Sequence, residues 1–360
     1  MGPVGKPPNK AIGLTPMNQP QSSEILRIQG GSRLHFGLFS TRIEQGPGGE
    51  RVYGGLGMMI DGPSWEISAQ RASLWSIEGQ GCDRFGSLIR MLGADQAAFC
   101  PIAFRILRGL PEHSGLGSGT QMALGLTQLA SSLSGHQMAL DALCRVSNRG
   151  LRSAIGSHGF EKGGFLVDAG HLLGENTPPN PMASLGQMLL RIPFPTQWPI
   201  VLCRRTTAPG LSGNKEWKVF EALMKPNPSN VEAIRRDRLC KLALLGVLPA
   251  LQSVDWQSFG EAIGDFNRLA GEPFALWQGG DHREGSEDWF GFCRENGIMG
   301  VGQSSWGPTL FAICQNQDQA DFLVQAWVAK GFGTAQEIQC TQSRNSGAIL
   351  EKSAPPIHSF

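Results

Sequence analysis

The sequence predicts an α+β protein that folds into two domains. It is 360 residues long, which suits one large or two medium domains. Apolar residues make up 41% of it and charged residues 17%, as in globular proteins. Strand-like and helix-like runs follow one another without a repeated βαβ unit, which favours an α+β arrangement. The proline-rich run at 177–181 divides the chain, so we predict domains at 24–180 and 181–353 between disordered tails at 1–23 and 354–360.

Charge and cysteine content limit the kinds of binding partner and the cellular compartment that we expect for this protein. Lys plus Arg number 31 against 30 Asp plus Glu, so no overall field recruits nucleic acid or an anionic membrane. The eight cysteines contain no CxxC pair and indicate free thiols rather than a metal site. No long apolar run marks a signal peptide or a membrane span. We therefore expect a cytoplasmic protein with neither nucleic acid nor membrane as a partner.

The first strands carry one pair of candidate residues. Residues 24–39 predict a strand interrupted at Gly30 and Gly31, followed by a second short strand. Arg33 and His35 are two apart, so in a strand they project to one face and could hold a carboxylate or phosphate. The alternative is a solvated arginine beside a histidine bonded to a backbone carbonyl.

A glycine-rich stretch at 111–121, PEHSGLGSGTQ, is the centre of the sequence. An alternating strand at 100–106 precedes it, and apolar residues spaced by three or four follow it, which predicts strand, turn and helix. The first amides of such a helix have no partner within the helix and bind phosphate together with the helix dipole. Ser118 and Thr120 add hydroxyl groups. An ordinary glycine-rich connection is the alternative.

Three arginines follow the predicted helix at 137–148. Arg145, Arg149 and Arg152 recur at spacings of four and three, which places them on one helical face if the helix continues. Guanidinium groups donate two hydrogen bonds at once to phosphate or carboxylate, and we favour Arg152 for a site. A solvated helix face would have the same spacing. The segment 156–164 is expected to be a loop that leads into a strand ending at Asp168.

The second half is predicted to be a mixture of strands and helices. Gly246 or Pro249 should kink or split the long helix at 231–251. Strands are expected at 186–195, 198–205, 309–314 and 335–342, and further helices at 82–92, 215–224, 256–270, 289–296 and 318–332.

Five segments in order resemble one known group of proteins. PEHSGLGS opening a helix is similar to the phosphate-binding motif of the GHMP kinase superfamily. SRLHFGLF at 32–39, RGLRSAIG at 149–156, GGFLVDAG at 163–170 and GQSSWGPTLFAI at 302–313 resemble a non-kinase branch, the β-ribofuranosylaminobenzene 5′-phosphate synthases. The resemblance covers about residues 25–351. It implies an N-terminal β-α domain of the ribosomal-protein type and a C-terminal ferredoxin-like α/β sandwich domain.

The resemblance also implies an activity. Such enzymes condense phosphoribosyl pyrophosphate with 4-aminobenzoate or 4-hydroxybenzoate and release pyrophosphate and carbon dioxide, in tetrahydromethanopterin biosynthesis. The resemblance implies that the substrates are bound by backbone and hydroxyl groups of the glycine loop and by the opposite wall of the site. These residues are Gly115, Gly117, Ser118, Gly119, Thr120, Gln303, Ser304, Ser305 and Trp306. Arg33, His35 and Arg152 are the candidate catalytic residues. Trp306 would stack on the benzoate ring, and a histidine could shuttle a proton.

Two other functions stay open at this point. An ordinary GHMP kinase usually has a lysine near its first motif and an acidic residue in a later Ser-Gly-x-Asp run. Here those segments read SRLHFG and SAIGSHG, and Gly119 replaces the second serine of GLGSS. A non-catalytic protein that binds a phosphorylated metabolite is the third candidate. We expect no required cofactor, although magnesium could accompany the pyrophosphate substrate, and by analogy a homodimer.

Overall fold

The computed structural model describes residues 24–43, 51–172, 185–204, 213–223, 230–305 and 307–353, with side chains left out at 213–217 and 353. Its strands are β1 (Ile25–Leu38), β2 (Arg51–Val52), β3 (Gly55–Arg71), β4 (Ser76–Gly79), β5 (Ile102–Arg108), β6 (Phe165–Asp168), β7 (His171–Leu172), β8 (Met188–Ile192), β9 (Ile200–Arg204), β10 (Val301–Gln303), β11 (Thr309–Ile313), β12 (Ile338–Thr341) and β13 (Ile349–Ser353). Its α-helices are α1 (Gly86–Ala94), α2 (Ser118–Leu133), α3 (Leu140–Ser147), α4 (Ile155–Lys162), α5 (Gly213–Leu223), α6 (Val231–Leu242), α7 (Leu248–Gln252), α8 (Trp256–Gly271), α9 (Ala275–Gln278), α10 (Glu287–Glu295) and α11 (Gln317–Ala329).

The larger sheet has seven strands, in the order β13-β1-β3-β5-β4, with β6 pairing β3 and β8 pairing β6. The strands β8 and β13 come from the second half of the chain, yet both extend this first sheet. The predicted boundary at 180 lies outside the described residues and stays a prediction. Residues 188–192 and 349–353 nevertheless pack with the N-terminal sheet, because their hydrogen-bonding partners are β6 and β1.

The predicted interruption at Gly30 and Gly31 was wrong, since β1 runs unbroken from Ile25 to Leu38. The two glycines produce a shift in the register with β3 instead of a break. Beside them the buried Trp65 donates its indole hydrogen to the carbonyl oxygen of Gly31 at 2.9 Å. The strand therefore continues because its irregular carbonyl finds a partner in the core.

The helix α2 is buried along almost its whole length. It follows the central glycine loop as predicted and packs on β1, β3 and α4. Met122, Leu124 and Leu126 are fully inaccessible to solvent. At Gly125 a side chain would come within 2.6 Å of the Trp65 ring, so glycine lets helix and sheet approach closely. The N-terminus of α2 is thereby fixed rigidly against the sheet.

The smaller sheet has four antiparallel strands in the order β10-β11-β9-β12. Helices α10 and α11 contribute Trp289 and Trp327 to its core, where the ring centroids are 3.8 Å apart. The α+β class is confirmed by this arrangement of two main sheets with helices between and around them. Within the described ranges no helix is both long and apolar enough to cross a membrane.

A shared core joins the two halves. Phe36 of β1 and Phe165 of β6 pack together with Phe311 of β11 and with Phe259 and Phe266 of α8. One hydrophobic cluster therefore spans both sheets. Residues at the C-terminal end of β1 lie at this junction, where the pocket described below opens.

Two expectations about the helices agree with the structure and one differs. The long helix at 231–252 is split, as predicted, by a π-helical turn at Ala243–Val247 that precedes Pro249. The segment expected as a loop after residue 155 is instead helix α4, whose buried face packs on β3 and α2. Helix α3 ends at Ser147, with Asn148 in the left-handed conformation at a φ of 54°.

Candidate functional site

A cavity of about 240 Å³ opens where the two halves of the chain meet. Its walls come from the second half of β1, the loop 148–153, Phe220 of α5, the end of α8 with the segment 271–282, and the start of the turn after β10. Of the predicted site residues, those that line it are Arg33, His35, Thr120, Arg152, Gln303 and Ser305. Trp306 lies outside the described residues, so its predicted stacking role stays a prediction.

The glycine loop ends at the N-terminus of α2. Gly117 occupies the N-cap with a φ of 74°, and its carbonyl accepts hydrogen bonds from the amides of Thr120 and Gln121. Ser118 begins the helix, and its hydroxyl accepts a hydrogen bond from Arg84 at 3.2 Å. The helix dipole places partial positive charge at this end. The loop thus has the conformation that an anion site requires.

The glycine loop and the turn after β10 touch directly. A side chain at Gly115 would lie 2.1 Å from the carbonyl oxygen of Ser304, and one at Gly307 would lie 2.1 Å from that of Ser114. The Ser304 hydroxyl donates to the carbonyl oxygen of Gly115 at 2.8 Å. Backbone approaches this close exclude any side chain at the two glycines. The turn therefore supports the loop and does not face it across a gap.

Arginines surround the N-terminus of α2. Arg33 donates to the carbonyl oxygen of Gly115 at 3.0 Å and lies beside Gly117. On the other side, a side chain at Gly119 would lie 3.5 Å from the guanidinium of Arg149. These contacts place two guanidinium groups on either side of the helix end, with Arg84 bound to Ser118 as a third.

Arg149 lies in a buried and strongly cationic environment. Burial lowers the pKa of Arg149, and the neighbouring positive charges of Arg84 and Arg152 lower it further. Its Nε atom is buried and, within the described part of the chain, has no hydrogen-bond partner. An anion beside these arginines would reduce their mutual repulsion.

The arginine row expected on one helical face if the helix continued does not form. Because α3 ends at Ser147, Arg149 and Arg152 lie in a loop, while Arg145 stays on the exposed helix and pairs with Asp141. The two arginines that reach the pocket do so through the loop and not through a helical face.

Asp168 and His171 hold this arginine loop in place. The buried carboxylate of Asp168 accepts hydrogen bonds from the amides of Ala154 at 2.7 Å and Gly170 at 2.8 Å. The Nε2 atom of His171 lies 3.0 Å from the carbonyl oxygen of Arg152 and donates to it. Burial raises the pKa of Asp168, although its two amide partners oppose the rise. Both residues act on the loop's backbone and leave its side chains to the pocket.

His35 is a neutral residue in this site. It is buried, and its Nε2 atom lies 3.0 Å from the hydroxyl of Ser153. Burial, assisted by the charge of Arg33, holds the pKa of His35 well below its usual range. It therefore cannot act near neutral pH as the cation that would share an anion with Arg33. What it offers is a hydrogen bond to Ser153.

Asn267 ties β1 to β10 at the floor of the pocket. Its amide nitrogen donates to the carbonyl oxygens of Phe36 at 2.7 Å and Gln303 at 3.0 Å. Its oxygen accepts from the amide of Gln303 and from Nε2 of His282. The Gln303 side chain is engaged as well, with the amide of Arg283 and the carbonyl oxygen of Ser305. The polar floor is thus satisfied internally.

Several pocket residues have no signal in the sequence that would have singled them out. Ser153, Phe220 and Asn267 line the pocket from otherwise ordinary segments. Arg84, which binds Ser118 outside the pocket lining, lies in a short 3₁₀ helix at 82–85 and was likewise not singled out. Arg149 was one member of the predicted row, yet Arg152 was preferred. Within the described residues, no group of three His, Cys, Asp or Glu side chains is arranged to hold a metal ion.

Two family models and several curated relatives match parts or most of this chain. Residues 85–164 match the GHMP kinases N terminal domain family, and residues 247–333 match the GHMP kinases C terminal family. The beta-ribofuranosylphenol 5'-phosphate synthase of Archaeoglobus fulgidus is 29% identical over 335 residues, which cover 91% of this chain and 100% of the relative. The protein of the same name from Methanothermobacter thermautotrophicus is 28% identical over 343 residues, 89% of this chain and 97% of the relative.

Solved structures share the fold. A putative homoserine kinase from Listeria monocytogenes superposes with a TM-score of 0.60 at 16% identity, over 91% of this chain and 100% of that one. Mevalonate diphosphate decarboxylase from Staphylococcus aureus superposes with a TM-score of 0.61 at 12% identity, over 92% and 99%. The fold expected from the motifs is confirmed. The chain thus resembles the GHMP kinase families in these two segments, and it resembles the β-ribofuranosylphenol 5′-phosphate synthases over most of its length.

Proposed function

We propose that the protein is a decarboxylating phosphoribosyltransferase that joins phosphoribosyl pyrophosphate to 4-hydroxybenzoate or 4-aminobenzoate. The relatives' names supply the product class, a ribofuranosyl arene 5′-phosphate. The reaction serves the biosynthesis of tetrahydromethanopterin. A cytoplasmic location and a homodimer remain predictions.

The observation that carries this proposal is the group of arginines around the N-terminus of α2. Arg33, Arg84 and Arg149 lie against Gly115, Ser118 and Gly119 of one loop. A pyrophosphate leaving group gains negative charge as its bond to ribose breaks, and fixed donors and cations stabilise that charge. We assign the pyrophosphate to this group of arginines and loop amides, which we call the anion cradle.

The chemistry needs little from the protein beyond binding and orientation. The bond between C1 of the ribose and the pyrophosphate oxygen breaks, and the electron pair leaves with pyrophosphate. C1 then bonds to the ring carbon that carries the carboxylate. The carbon–carbon bond to the carboxylate breaks, carbon dioxide leaves, and its electron pair restores the aromatic ring. No proton enters or leaves the sum, which suits a neutral His35. The two reacting carbons must be held within near-attack distance.

A kinase has less support at these positions. The first motif has Arg33 where a kinase of this fold would carry a lysine, and the buried carboxylate of Asp168 is engaged by two backbone amides. The superposed homoserine kinase shares the fold alone, at 16% identity.

The deciding experiment measures release of labelled carbon dioxide from carboxyl-labelled 4-hydroxybenzoate and 4-aminobenzoate, with and without phosphoribosyl pyrophosphate and magnesium. We expect release that depends on phosphoribosyl pyrophosphate, with pyrophosphate formed in equal amount. A parallel assay follows ATP consumption with small alcohols. ATP consumption without carbon dioxide release would show that the protein is a kinase and not a phosphoribosyltransferase. Binding of phosphoribosyl pyrophosphate without any product would support a non-catalytic binding protein.

A further inference from the structure

We propose that the aromatic ring of the acceptor binds against the wall that Phe220 and Phe274 form, with its carboxylate directed to Arg152. This assignment of an acceptor subsite rests on the proposed function for its biological meaning. The evidence for it comes from the shape and polarity of the pocket.

The pocket has two chemically different halves. Arg33, Arg149 and Thr120 form the cationic half beside the N-terminus of α2. The other half includes Phe220 and Phe274, with small or apolar neighbours at Leu38, Ala270 and Gly271 and polar ones at Gln278 and Asp281. A phosphorylated sugar suits the first half. A planar arene suits the second, because aromatic walls bury ring surface and contact its edge and face.

The aromatic wall is built and supported by the core. Phe220 is buried and meets Phe274 edge to face, with ring centroids 5.7 Å apart. Its ring also packs edge to face against Tyr53 at 5.9 Å, in a cluster with Leu38 and Val52. Because Phe220 is held from behind, its position does not depend on a bound ligand.

Arg152 marks the border between the two halves. Its guanidinium carbon lies 4.6 Å from the centroid of the Phe220 ring. Its backbone is fixed by His171, so the charge is presented at the edge of the aromatic wall. A benzoate in this wall would place its carboxylate on the guanidinium and its ring beside Phe220.

The position of Arg152 at the border also agrees with the carbon–carbon bond that the reaction must form. The ring carbon attacked by ribose is the one that bears the carboxylate. An acceptor oriented by Arg152 places that carbon at the border, next to a ribose whose pyrophosphate lies in the anion cradle. The reverse orientation would bury the carboxylate among phenylalanines. This is unfavourable because the charge would lose its hydration without gaining a hydrogen-bonding or ionic partner.

The test measures binding rather than turnover. We would titrate the full-length protein with benzoate, cyclohexanecarboxylate and benzamide, and separately with pyrophosphate, by calorimetry or ligand-observed NMR. Cyclohexanecarboxylate keeps the charge without the aromatic ring, and benzamide keeps the ring without the charge. The wild type should bind benzoate at least about tenfold more tightly than either analogue.

Phe220→Leu should remove most of the preference for benzoate over cyclohexanecarboxylate. Arg152→Gln should remove most of the preference for benzoate over benzamide. Phe292→Leu is the matched control, because Phe292 also lies under a cation, with Lys330 Nζ 4.9 Å from its ring centroid, but lies outside the pocket. Affinity for pyrophosphate should stay within about twofold in Phe220→Leu, which shows that the variant is folded. Phe274→Leu provides a second test if Phe220→Leu fails to fold.

The outcomes separate this proposal from the proposed function. Unchanged benzoate selectivity in the variants would overturn the subsite, even if the wild type releases carbon dioxide. A wild type that binds pyrophosphate but no aromatic carboxylate would overturn it as well. Benzoate binding that is lost in Phe220→Leu, in a protein without transferase activity, would support the subsite while refuting the activity.

Discussion

Ser304 donates a hydrogen bond from its hydroxyl to the carbonyl oxygen of Gly115, 2.8 Å away and 189 residues earlier in the chain. The same hydroxyl accepts a hydrogen bond from the backbone amide of His35 at 3.1 Å. One serine thus connects β1, the glycine loop and the turn after β10. The stability of the anion cradle therefore depends on a residue that need not contact the ligand.

Replacing this serine should destabilise the protein. Ser304→Ala leaves the buried amide of His35 without its acceptor and removes one donor from Gly115. We expect the free energy of unfolding to fall by about 1–3 kcal/mol, measured by urea denaturation. Ser87→Ala, at an exposed position of α1, should change it by less than about 0.5 kcal/mol. Equal effects of the two substitutions would contradict the connecting role of Ser304.

Two glycines in the same backbone conformation allow strain and contact to be separated. Gly115 and Gly135 have φ values of 78° and 82°. A Cβ at Gly135 would meet nothing within 4 Å, whereas one at Gly115 would lie 2.1 Å from the carbonyl oxygen of Ser304. We expect Gly135→Ala to cost about 1–2 kcal/mol from backbone strain alone. Gly115→Ala should cost clearly more and should weaken pyrophosphate binding. The measurements are urea denaturation and calorimetry, and similar costs would contradict the close contact.

Arg149 should contribute far more to anion binding than Arg145, which precedes it in the arginine row described from the sequence. Arg149→Ala removes a charged donor beside Gly119, a loss of about 1.5–3 kcal/mol, so the dissociation constant for pyrophosphate should rise about 10- to 100-fold in calorimetry. Arg145→Ala removes an exposed partner of Asp141 and should change it less than about twofold. A comparable effect at both positions would show that general charge, and not the cradle, binds the anion.

His282 should make the protein less stable in mild acid. Burial lowers the pKa of His282 to about 4, and the charge of Asp281 only partly opposes this. As the pH falls below about 6.5, the unfolded chain takes up a proton that the folded protein does not, so stability is lost between about pH 6.5 and 4. The contribution between pH 7 and pH 5 is about 2 kcal/mol.

The variant His282→Gln keeps a donor for Asn267 but has no titrating group. Its free energy of unfolding should fall about 2 kcal/mol less than that of the wild type between pH 7 and pH 5. Burial also lowers the pKa of His35, but His35 is present in both proteins, so the comparison isolates His282. Parallel pH profiles in urea denaturation would contradict a neutral, buried His282.

The sequence predicted the elements of the fold better than their contacts. The spacing of the hydrophobic residues predicted the helix α2 and its buried residues, and the glycine loop before it was recognisable from residue types. The sequence placed the end of α3 within one residue of Ser147, but it left open whether a helix continues as far as Arg152. Because the left-handed Asn148 ends the helix, Arg149 and Arg152 lie in a loop and not on a helical face.

The sequence by itself determined the α+β class, the resemblance to the GHMP kinase superfamily and the strand–loop–helix unit to which we assign the anion, because these depend on local residue types and on motifs read along the chain. Only the tertiary structure decided which cations surround that unit and which rings face them. Arg84, Arg149 and Phe220 come from separate segments, and they meet because β-sheet register and a core shared between two sheets fix their distances. Periodicity reports that a face is buried, but it carries no information about the residue that lies opposite.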